Sequence, residues 1–374
     1  MTVRVNKQPF NIREKLSELE RPIGVKGNEL MRAETSQEAR DLVSAGRKNM
    51  VINGLMTVSQ RNGTSSYTIP NATGGSYGGP DRWAINEATG GSVSVNQDSD
   101  PRSGNATGSG VQEFYQAMQI ACQSVDTSVS STENLHFFQN IEGYNVTRLK
   151  WGTDKAVPVT LSFWVRTNCF GTYCVGIENN ATDRCCIREY EVRSEFNWQK
   201  VVLTFPGCPD GVWNNTNGVG IRLRFALAVG DTYDDGIDGQ WITNDELSTS
   251  NQVNFMSNTN HRFFITGVQL EAGSNATDFE HRSYAEELAL CQRYYWQTDG
   301  VVYMCGYGNQ PATYQLADMT CPTTMRATPS VTISATSNGS SFSAGSNSPQ
   351  TVHISANTTG TAAPRGRIQA NAEI

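Results

Sequence analysis

Charged residues are scarce in this chain, and long apolar runs are missing from it. Asp, Glu, Lys and Arg make up 17% of the 374 residues and hydrophobic residues 37%, whereas small and polar residues such as the 34 glycines are plentiful. This composition is typical of an all-β protein with many turns. No apolar stretch reaches the roughly 18–20 residues of a membrane span, and the N-terminus has no apolar signal-peptide core. We therefore expect no membrane insertion and no secretory route.

Motifs of catalysis and of metal binding are also missing. No G-x-S-x-G, P-loop or H-E-x-x-H sequence occurs, and the four histidines are dispersed. Nine cysteines, an odd number, occur without a C-x-x-C pair. We therefore expect mostly reduced, buried thiols rather than disulfides or a zinc site. The sequence favours a protein that is not an enzyme.

The net charge of −7 is unevenly distributed. Residues 1–50 contain 10 Lys and Arg and 7 Asp and Glu, a net charge of +3, which leaves −10 for residues 51–374. An acidic body of this kind repels the phosphate backbone, so nucleic acid is excluded as the expected partner.

Residues 1–49 predict two short helices rather than a domain. Isolated helices shorter than about 12–15 residues are marginal in water, so these helices need a partner surface. That surface is the chain's own body, another protein, or further copies of the same chain. The apolar positions of the two helices are Ile12, Leu16, Leu19, Leu42 and Val43.

Residues 50–283 predict one jelly-roll-like antiparallel β-sandwich. Apolar and polar residues alternate strictly along 159–166 and 221–229, which indicates strands with one buried and one solvent-facing side. Further strands are expected at 112–120, 134–142, 145–151 and 198–205.

A helix is expected to close the sandwich. The run 263–270 predicts a strand that ends in a Gly-Ser-Asn turn, and Ser283 with Glu286 forms a capping box after it. We therefore predict a connector helix over 284–297. Its apolar stripe is Tyr284, Leu288, Cys291 and Tyr295.

The remaining residues, 298–374, predict a small C-terminal β-domain. Residues 327–364 contain no Asp, Glu, Lys or Arg, which leaves a disordered linker as the alternative. Strand-like alternation favours the β-domain. A chargeless β-surface invites edge association, so a symmetric partner is expected to cover it. The alternating apolar residues are Val331, Ile333, Phe342, Val352, Ile354 and Ile368.

Five stretches resemble appendage proteins of tailed bacteriophages. ITGVQLEAGSNATDFEHRSYAEELALCQRYYW at 265–296 closely resembles the segment that ends a carbohydrate-binding-like β-sandwich in tail fibres. NMVINGLMTVSQRN at 49–62 and GGPDRWAI at 78–85 resemble the beginning of the same module. Residues 11–49 resemble the N-terminal segment of such proteins in phages that infect marine cyanobacteria, and the ending IQANAEI is similar as well.

The resemblance implies a virion structural protein that is made in the host cytoplasm. It implies a homotrimeric tail fibre, attached to a tail or adaptor protein through residues 1–49, that binds a glycan or protein of the host surface. A capsid- or collar-associated decoration protein without adhesion is the alternative. A polysaccharide depolymerase is disfavoured, because no long β-helical repeat is visible in the sequence.

Two sets of residues are candidate binding sites. Aromatic rings near polar loops stack on the C–H faces of sugars, although such rings also cap the cores of β-sandwiches. A cluster of aspartates around Gly236 offers oxygen ligands for a structural calcium ion, with a solvated acidic turn as the alternative. The aromatic candidates are Trp151, Trp213, Tyr233 and Trp241, and the calcium candidates are Asp231, Asp234, Asp235 and Asp238.

Overall fold

The computed structural model divides the chain into two compact units, residues 1–48 and 49–374, of which the second is described below. The predicted apolar positions of the N-terminal helices, Ile12, Leu16, Leu19, Leu42 and Val43, lie outside the described residues. Within the described part of the chain, no helix is long and apolar enough to cross a membrane. The structure describes residues 47–99, 114–193, 197–303, 314–358 and 364–374.

The described residues of the second unit form mainly strands. The two α-helices are α1 (Gly143–Val146) and α2 (Tyr284–Gln292), and single 3-10 turns cover Thr147–Leu149 and Phe255–Ser257. The strands are β1 (Tyr67–Thr68), β2 (Ala72–Ser76), β3 (Ala84–Ala88), β4 (Ser92–Asp98), β5 (Ala117–Ser124), β6 (Asn134–Glu142), β7 (Val159–Thr167), β8 (Gly171–Glu178), β9 (Cys185–Val192), β10 (Gln199–Phe205), β11 (Val219–Val229), β12 (Trp241–Ile242), β13 (Arg262–Ala272), β14 (Tyr295–Gln297), β15 (Val302–Tyr303), β16 (Tyr314–Thr320), β17 (Ser330–Ser337), β18 (Gly339–Ser348), β19 (Thr351–Thr358) and β20 (Arg365–Asn371).

Two antiparallel sheets face each other as a sandwich. One has the order β1-β4-β5-β13-β7-β10 and the other β12-β9-β8-β11-β6-β3-β2. Aromatic rings fill the space between the sheets: Phe137 stacks on Phe225 at 4.7 Å within one sheet, and the two contact Phe263 and Phe163 of the other at 5.7 and 5.3 Å. These inward positions are the apolar half of the alternating pattern. The mainly β, jelly-roll-like antiparallel sandwich that the sequence predicts is confirmed.

The outer faces of the sandwich are more buried than the alternation predicts. On β7 and β11, Arg166 and Arg224 are only 5% and 7% exposed. On the seven-stranded sheet the reason is a long loop, residues 230–254, which lies on β8 and β9 and forms bridges from Gln252 to Thr172 and from Asp238 to Ile187. The polar half of the pattern therefore faces covering loops over much of its length rather than solvent.

Residues 145–151 do not form the predicted strand. They form the end of α1, the 3-10 turn and the residues that follow it. Val146 and Leu149 are three positions apart and both are buried, which a helical turn allows. A left-handed backbone at Lys150 (φ 55°) and Gly152 (φ 81°) then reverses the chain. A two-residue period and a three-residue period are not separable in so short a run.

The connector helix is shorter than 284–297. Ser283 caps it as predicted, because its side chain accepts a hydrogen bond from the N–H of Glu286 at 3.3 Å. However, α2 ends at Gln292, and Tyr295 begins a strand that pairs with Asn371 near the end of the chain. Of the predicted stripe, Cys291 and Tyr295 are buried and Leu288 packs against the same cluster as Cys291, whereas Tyr284 is 61% exposed. Pairing with β20 therefore determines the conformation of the last residues of the predicted helix.

The C-terminal strands form two further sheets. The order β14-β20-β15, with β17 also paired to β20, makes one sheet, and β16-β19-β18 makes the other. Trp296, Met325, Val352, Ile354 and Ile368 belong to the apolar cluster of these strands. The β interpretation of this region is confirmed. The described residues of the stretch 327–364 form β17, β18 and β19 rather than the disordered linker that was the alternative.

Within the described residues, the stretches 49–62, 78–85 and 265–296 and the end of the chain meet in one buried junction. The N–H of Asn53 donates to the carboxylate of Glu287 on α2, and the carbonyl of Asn53 accepts from the Trp83 indole at 3.1 Å. Arg82 forms an ion pair with Glu373, and its guanidinium lies 3.5 Å from the centre of the Tyr294 ring. These motif residues hold the first strands, the helix and the end of the chain together, so the motifs specify the fold.

The cysteines of the described region are free and buried, as the sequence predicts. Burial raises the pKa of Cys185 and of Cys186 to about 12, which keeps both as thiols at neutral pH. The ninth cysteine, Cys305, lies outside the described residues. The eight described cysteines are Cys122, Cys169, Cys174, Cys185, Cys186, Cys208, Cys291 and Cys321.

Candidate functional site

Three of the four predicted aromatic residues come together at one end of the sandwich. The rings of Trp151, Trp213 and Trp241 lie 4.6 to 5.6 Å apart and meet edge to face at 74–81°. They belong to segments that are far apart in the sequence. The loop 143–158 lies between β6 and β7, and the loop 206–218 lies between β10 and β11. Both loops reach the same end because β6 pairs with β11 and β7 pairs with β10, with Phe205 opposite Val159.

The three indole N–H groups fix the orientation of the rings. Each donates to a backbone carbonyl: Trp151 to Val157 at 2.6 Å, Trp213 to Asp210 at 3.0 Å and Trp241 to Pro206 at 2.9 Å. Trp151 is 8% exposed and part of the core, while the other two rings are half-buried against it. Trp151 thus caps the core, as the alternative interpretation states, and Trp213 keeps part of its surface available.

A cavity opens beside these rings. Its volume is about 190 Å³, which is below the ~300–1,000 Å³ of sites for drug-sized ligands and suits a single small ring. We call it the tryptophan cavity. Two aliphatic side chains and two indoles supply apolar lining, and amide, hydroxyl and ammonium groups supply polar lining. The lining residues are Val146, Thr147, Leu149, Lys150, Trp151, Trp213, Asn214 and Asn215.

The two loops that form the tryptophan cavity are tied to each other by their backbones. The N–H of Gly143 donates to Gly218, that of Tyr144 to Thr216 and that of Gly152 to Cys208, each at 2.9 Å. The cavity walls are therefore held in place before any ligand arrives.

Two exposed apolar side chains stand in the same two loops. Tyr144 is 60% exposed and Val212 is 79% exposed. Exposed apolar groups beside a concave, partly apolar cavity are typical of binding surfaces. They extend the surface that a ligand larger than one ring would contact.

The charged residue among those that line the tryptophan cavity is a lysine. The described lining residues include Lys150 and no carboxylate. Asp210, in the loop that carries Trp213, is bound by Arg184 at 2.8 Å, and this hydrogen bond lowers the pKa of Asp210. Its negative charge is therefore balanced by Arg184.

The polar lining of the cavity has only a weak signal in the sequence. Thr147 and Lys150 fall in the run 145–151, which predicts a strand, and the Asn-Asn-Thr-Asn-Gly run follows Trp213 directly. That run is a turn signal: Asn214 accepts hydrogen bonds from the N–H and the hydroxyl of Thr216 at 2.8 and 2.7 Å. A turn at this run indicates that the amides of Asn214 and Asn215 lie close to Trp213.

Tyr233 does not join the other predicted aromatics. It lies in the loop that follows β11, where its carbonyl accepts from the N–H groups of Leu247 and Ser248 at 2.9 and 3.1 Å. Neither Tyr233 nor Trp241 is among the described residues that line the tryptophan cavity. Trp241 contributes indirectly, through its contacts with the two lining indoles.

One of the four aspartates of the predicted calcium site, Asp238, has a basic partner on the sheet. Asp238 binds Arg188 at 3.0 Å and accepts the N–H of Glu189, which turns it toward β9. Partial burial raises the pKa of Asp234, and the charges of Asp231 and Asp235 raise it further. Among the described residues, no group of three or more His, Cys, Asp or Glu side chains is placed to hold a metal ion. Calcium binding at this loop stays a prediction of the sequence, without support from the geometry.

A buried polar network lies on the outer face of the seven-stranded sheet. Arg224 binds Glu178 and Asp245, both at 2.8 Å, and so attaches the loop 230–254 to the sheet. Burial, together with the nearby Arg224 charge, lowers the pKa of His136 to about 3, so the imidazole is neutral at physiological pH. The network pairs its own charges and holds a loop, which indicates a structural role.

Comparisons with known proteins give structural likenesses of low identity. No protein-family profile matches the chain, and no curated protein matches it. The enzymatically active domain of tailspike protein 4 of bacteriophage CBA120 is 12% identical with a TM-score of 0.30, over 60% of this chain and 21% of that one. A module named CBM4 is 18% identical with a TM-score of 0.28, over 57% and 99%. A family 11 carbohydrate-binding module from Clostridium thermocellum, in complex with a β-1,3-1,4-mixed-linked tetrasaccharide, is 10% identical with a TM-score of 0.27, over 56% and 98%.

Proposed function

We propose that this chain is an attachment protein of a phage virion that binds a sugar of the host surface in the tryptophan cavity. The observation that carries the proposal is the cavity itself: two tryptophans, two asparagines and a lysine are among the residues that line a space of about 190 Å³ at one end of the sandwich. The C–H face of a sugar ring stacks on Trp213, and its hydroxyl groups bind the polar side chains of the rim.

A cavity for one ring gives weak binding, so several copies are needed for firm attachment. We propose a homotrimer, as the resemblance to tail fibres implies, in which three cavities act together on one cell surface. Residues 1–49 attach the trimer to a tail or adaptor protein in this proposal. The support for the virion role is the likeness of residues 11–62, 78–85 and 265–296 to appendage proteins.

Binding without hydrolysis is part of the proposal. Glycoside hydrolysis uses two carboxylates about 5–9.5 Å apart on either side of the bond that is cleaved. The described lining of the tryptophan cavity supplies none. A decoration protein without adhesion remains the second candidate, and the experiments below separate it from an attachment protein.

Trp213→Ala is expected to weaken sugar binding at least tenfold, because it removes the surface on which the ring stacks. This corresponds to about 1.4 kcal/mol or more, the range of a binding hot spot. The measurement is titration of the full chain with the sugar units of host envelope polysaccharides. Trp164→Ala is the matched control. Trp164 is also half-buried, but it lies on β7, packs against Phe114 and is not among the described residues that line the tryptophan cavity. Equal affinity of the Trp213→Ala variant and the wild type would refute the proposed site, and a wild type that binds no host sugar would favour the decoration protein.

The full chain is expected to have a mass in solution three times the 40.9 kDa of one chain. Light scattering measures this mass at micromolar concentration. The same sample, incubated with host polysaccharide, is expected to release no reducing sugar. A monomer would remove the avidity on which the proposal depends, and released sugar would make the chain a depolymerase.

A further inference from the structure

The backbone of Lys150 adopts a conformation that lysine does not favour. Lys150 lies at φ 55° and ψ 28°, in the left-handed region, where it ends the 3-10 turn Thr147–Leu149. Glycine adopts this conformation freely and asparagine adopts it readily, whereas a long side chain adopts it at an energetic cost. Gly152, two residues later, also has a positive φ. The requirements of the turn therefore do not explain a lysine at position 150.

Packing of the side chain does not explain this lysine either. Lys150 is exposed and is one of the residues that line the tryptophan cavity. The acidic residue of the facing loop, Asp210, is bound by Arg184. A strained, exposed residue at the rim of a cavity is the pattern of a position kept for its functional group.

The surroundings of Lys150 are positive in a chain that is otherwise acidic. Residues 51–374 carry a net charge of −10 and contain three lysines, of which Lys150 and Lys155 lie in the loop 143–158. That loop also contains Arg148, and its single acidic residue is Asp154. A local positive region on a negative body attracts an anionic ligand to this end and repels it elsewhere.

From these observations we infer that the tryptophan cavity selects an acidic sugar, one that carries a carboxylate or a sulfate. This inference rests on the proposed function and names the class of sugar. The ring lies against Trp213, and its anionic group binds the ammonium of Lys150. Charge-assisted hydrogen bonds are stronger than neutral ones, so the anionic group supplies both affinity and selectivity. The acidic body of the protein then restricts binding of a polyanionic glycan to this end of the sandwich.

The inference is tested with three probes that differ in one group: the methyl glycosides of glucose, glucuronic acid and a sulfated glucose. We expect the wild-type full chain to bind at least one anionic probe ten times more tightly than the neutral one at low ionic strength, with a smaller ratio in high salt. Lys150→Met keeps the length of the side chain without its charge, and it should reduce the ratio to about one. Lys155→Met is the matched control, since Lys155 lies in the same loop outside the cavity lining, and it should leave the ratio within about twofold.

A second variant separates the functional role of the lysine from a structural one. Lys150→Gly is expected to raise the melting temperature, because glycine removes the strain, while it abolishes the preference for anionic probes. Binding of only the carboxylated or only the sulfated probe would support the inference and identify the group. Equal binding of neutral and anionic probes, or an unchanged preference in Lys150→Met, would overturn the inference and leave the proposed function intact. A wild type that binds none of the three, and no host sugar, would overturn both.

Discussion

Replacing Glu373 with alanine is expected to lower the free energy of unfolding by about 3–5 kcal/mol, because it leaves a buried guanidinium without its carboxylate. Arg82 is 1% exposed and Glu373 is 6% exposed, and the two form a direct ion pair. The same carboxylate lies 3.4 Å from Arg61. The Nε of Arg82 is buried without a hydrogen-bond partner, and the other contacts of the guanidinium, the Asn140 carbonyl at 2.6 Å and the Tyr294 ring, carry no formal negative charge that would replace Glu373.

The measurement is equilibrium unfolding of the full chain in urea. Glu191→Ala is the matched control: Glu191 also forms an ion pair, with Arg193, but both side chains are exposed and the pair is expected to contribute nothing measurable. In the double variant Arg82→Met, Glu373→Ala, part of the lost stability should return, because the unpaired charge is removed. A loss no larger than that of the control would contradict the burial of this pair.

The Arg82–Glu373 contact also explains what the family resemblance does and does not predict. Arg82 belongs to the Asp-Arg-Trp stretch and Glu373 to the similar ending of the chain, and they meet across 291 positions. Tyr294, from the closing segment, contacts the same guanidinium. The recognisable motifs therefore lie in a buried junction far from the tryptophan cavity in sequence, and they indicate the fold rather than the ligand.

Much of the sandwich follows from local pattern, because alternation records which side of a strand is buried. The stretch 159–166 becomes β7 and 221–229 becomes β11, and 134–142 is β6 to the residue. The pattern fails where a covering loop buries the polar side, as at Arg224, because a loop's final position is not encoded in the period of a strand. It also fails at 145–151, where the run is too short to define a period and the buried Val146 and Leu149, three positions apart, share a face in a helical turn.

The candidate site was only half predictable. The sequence identifies Trp151, Trp213 and Trp241 as candidate residues, but they are up to 90 positions apart, and their contact depends on the pairing of the strands that carry their loops. Lys150 stands out only through its left-handed backbone conformation, and neither composition nor residue spacing predicts a backbone dihedral angle. Conversely, the aspartates around Gly236 are close in sequence, but Asp238 pairs with Arg188, and among the described residues no group of three acidic side chains is placed to hold a metal ion.

His136→Gln is expected to remove a large acid-dependent loss of stability. The pKa of His136 is lowered to about 3 in the folded protein, first by burial and then by the charge of Arg224, while an unfolded histidine keeps its ordinary value of 6.5. A depressed pKa means that the contribution to stability is complete above pH 6.5 and is lost as the pH falls toward 3. At pH 4.5 the loss amounts to about 3 kcal/mol, at roughly 1.4 kcal/mol for each pH unit.

The wild-type curve alone does not isolate this effect, because a buried carboxyl group acts in the opposite direction. Burial raises the pKa of Glu178 to about 7, although the charge of Arg224 opposes the shift. Its contribution therefore increases stability as the pH falls from 7 toward the unfolded value of 4.5. The quantity to measure is the difference in unfolding free energy between wild type and the His136→Gln variant from pH 7 to pH 4.5.

That difference should change by about 3 kcal/mol across the range in favour of His136→Gln. Phe138→Leu, on the same strand and the same face, is the matched control, since it alters the neighbour of His136 without removing a titrating group. It should lower stability by a similar amount at every pH. If the curves of wild type and His136→Gln ran parallel instead, the imidazole would be accessible to protons in the folded state. The outer face of the seven-stranded sheet would then be open to solvent and would become a second candidate surface for a ligand.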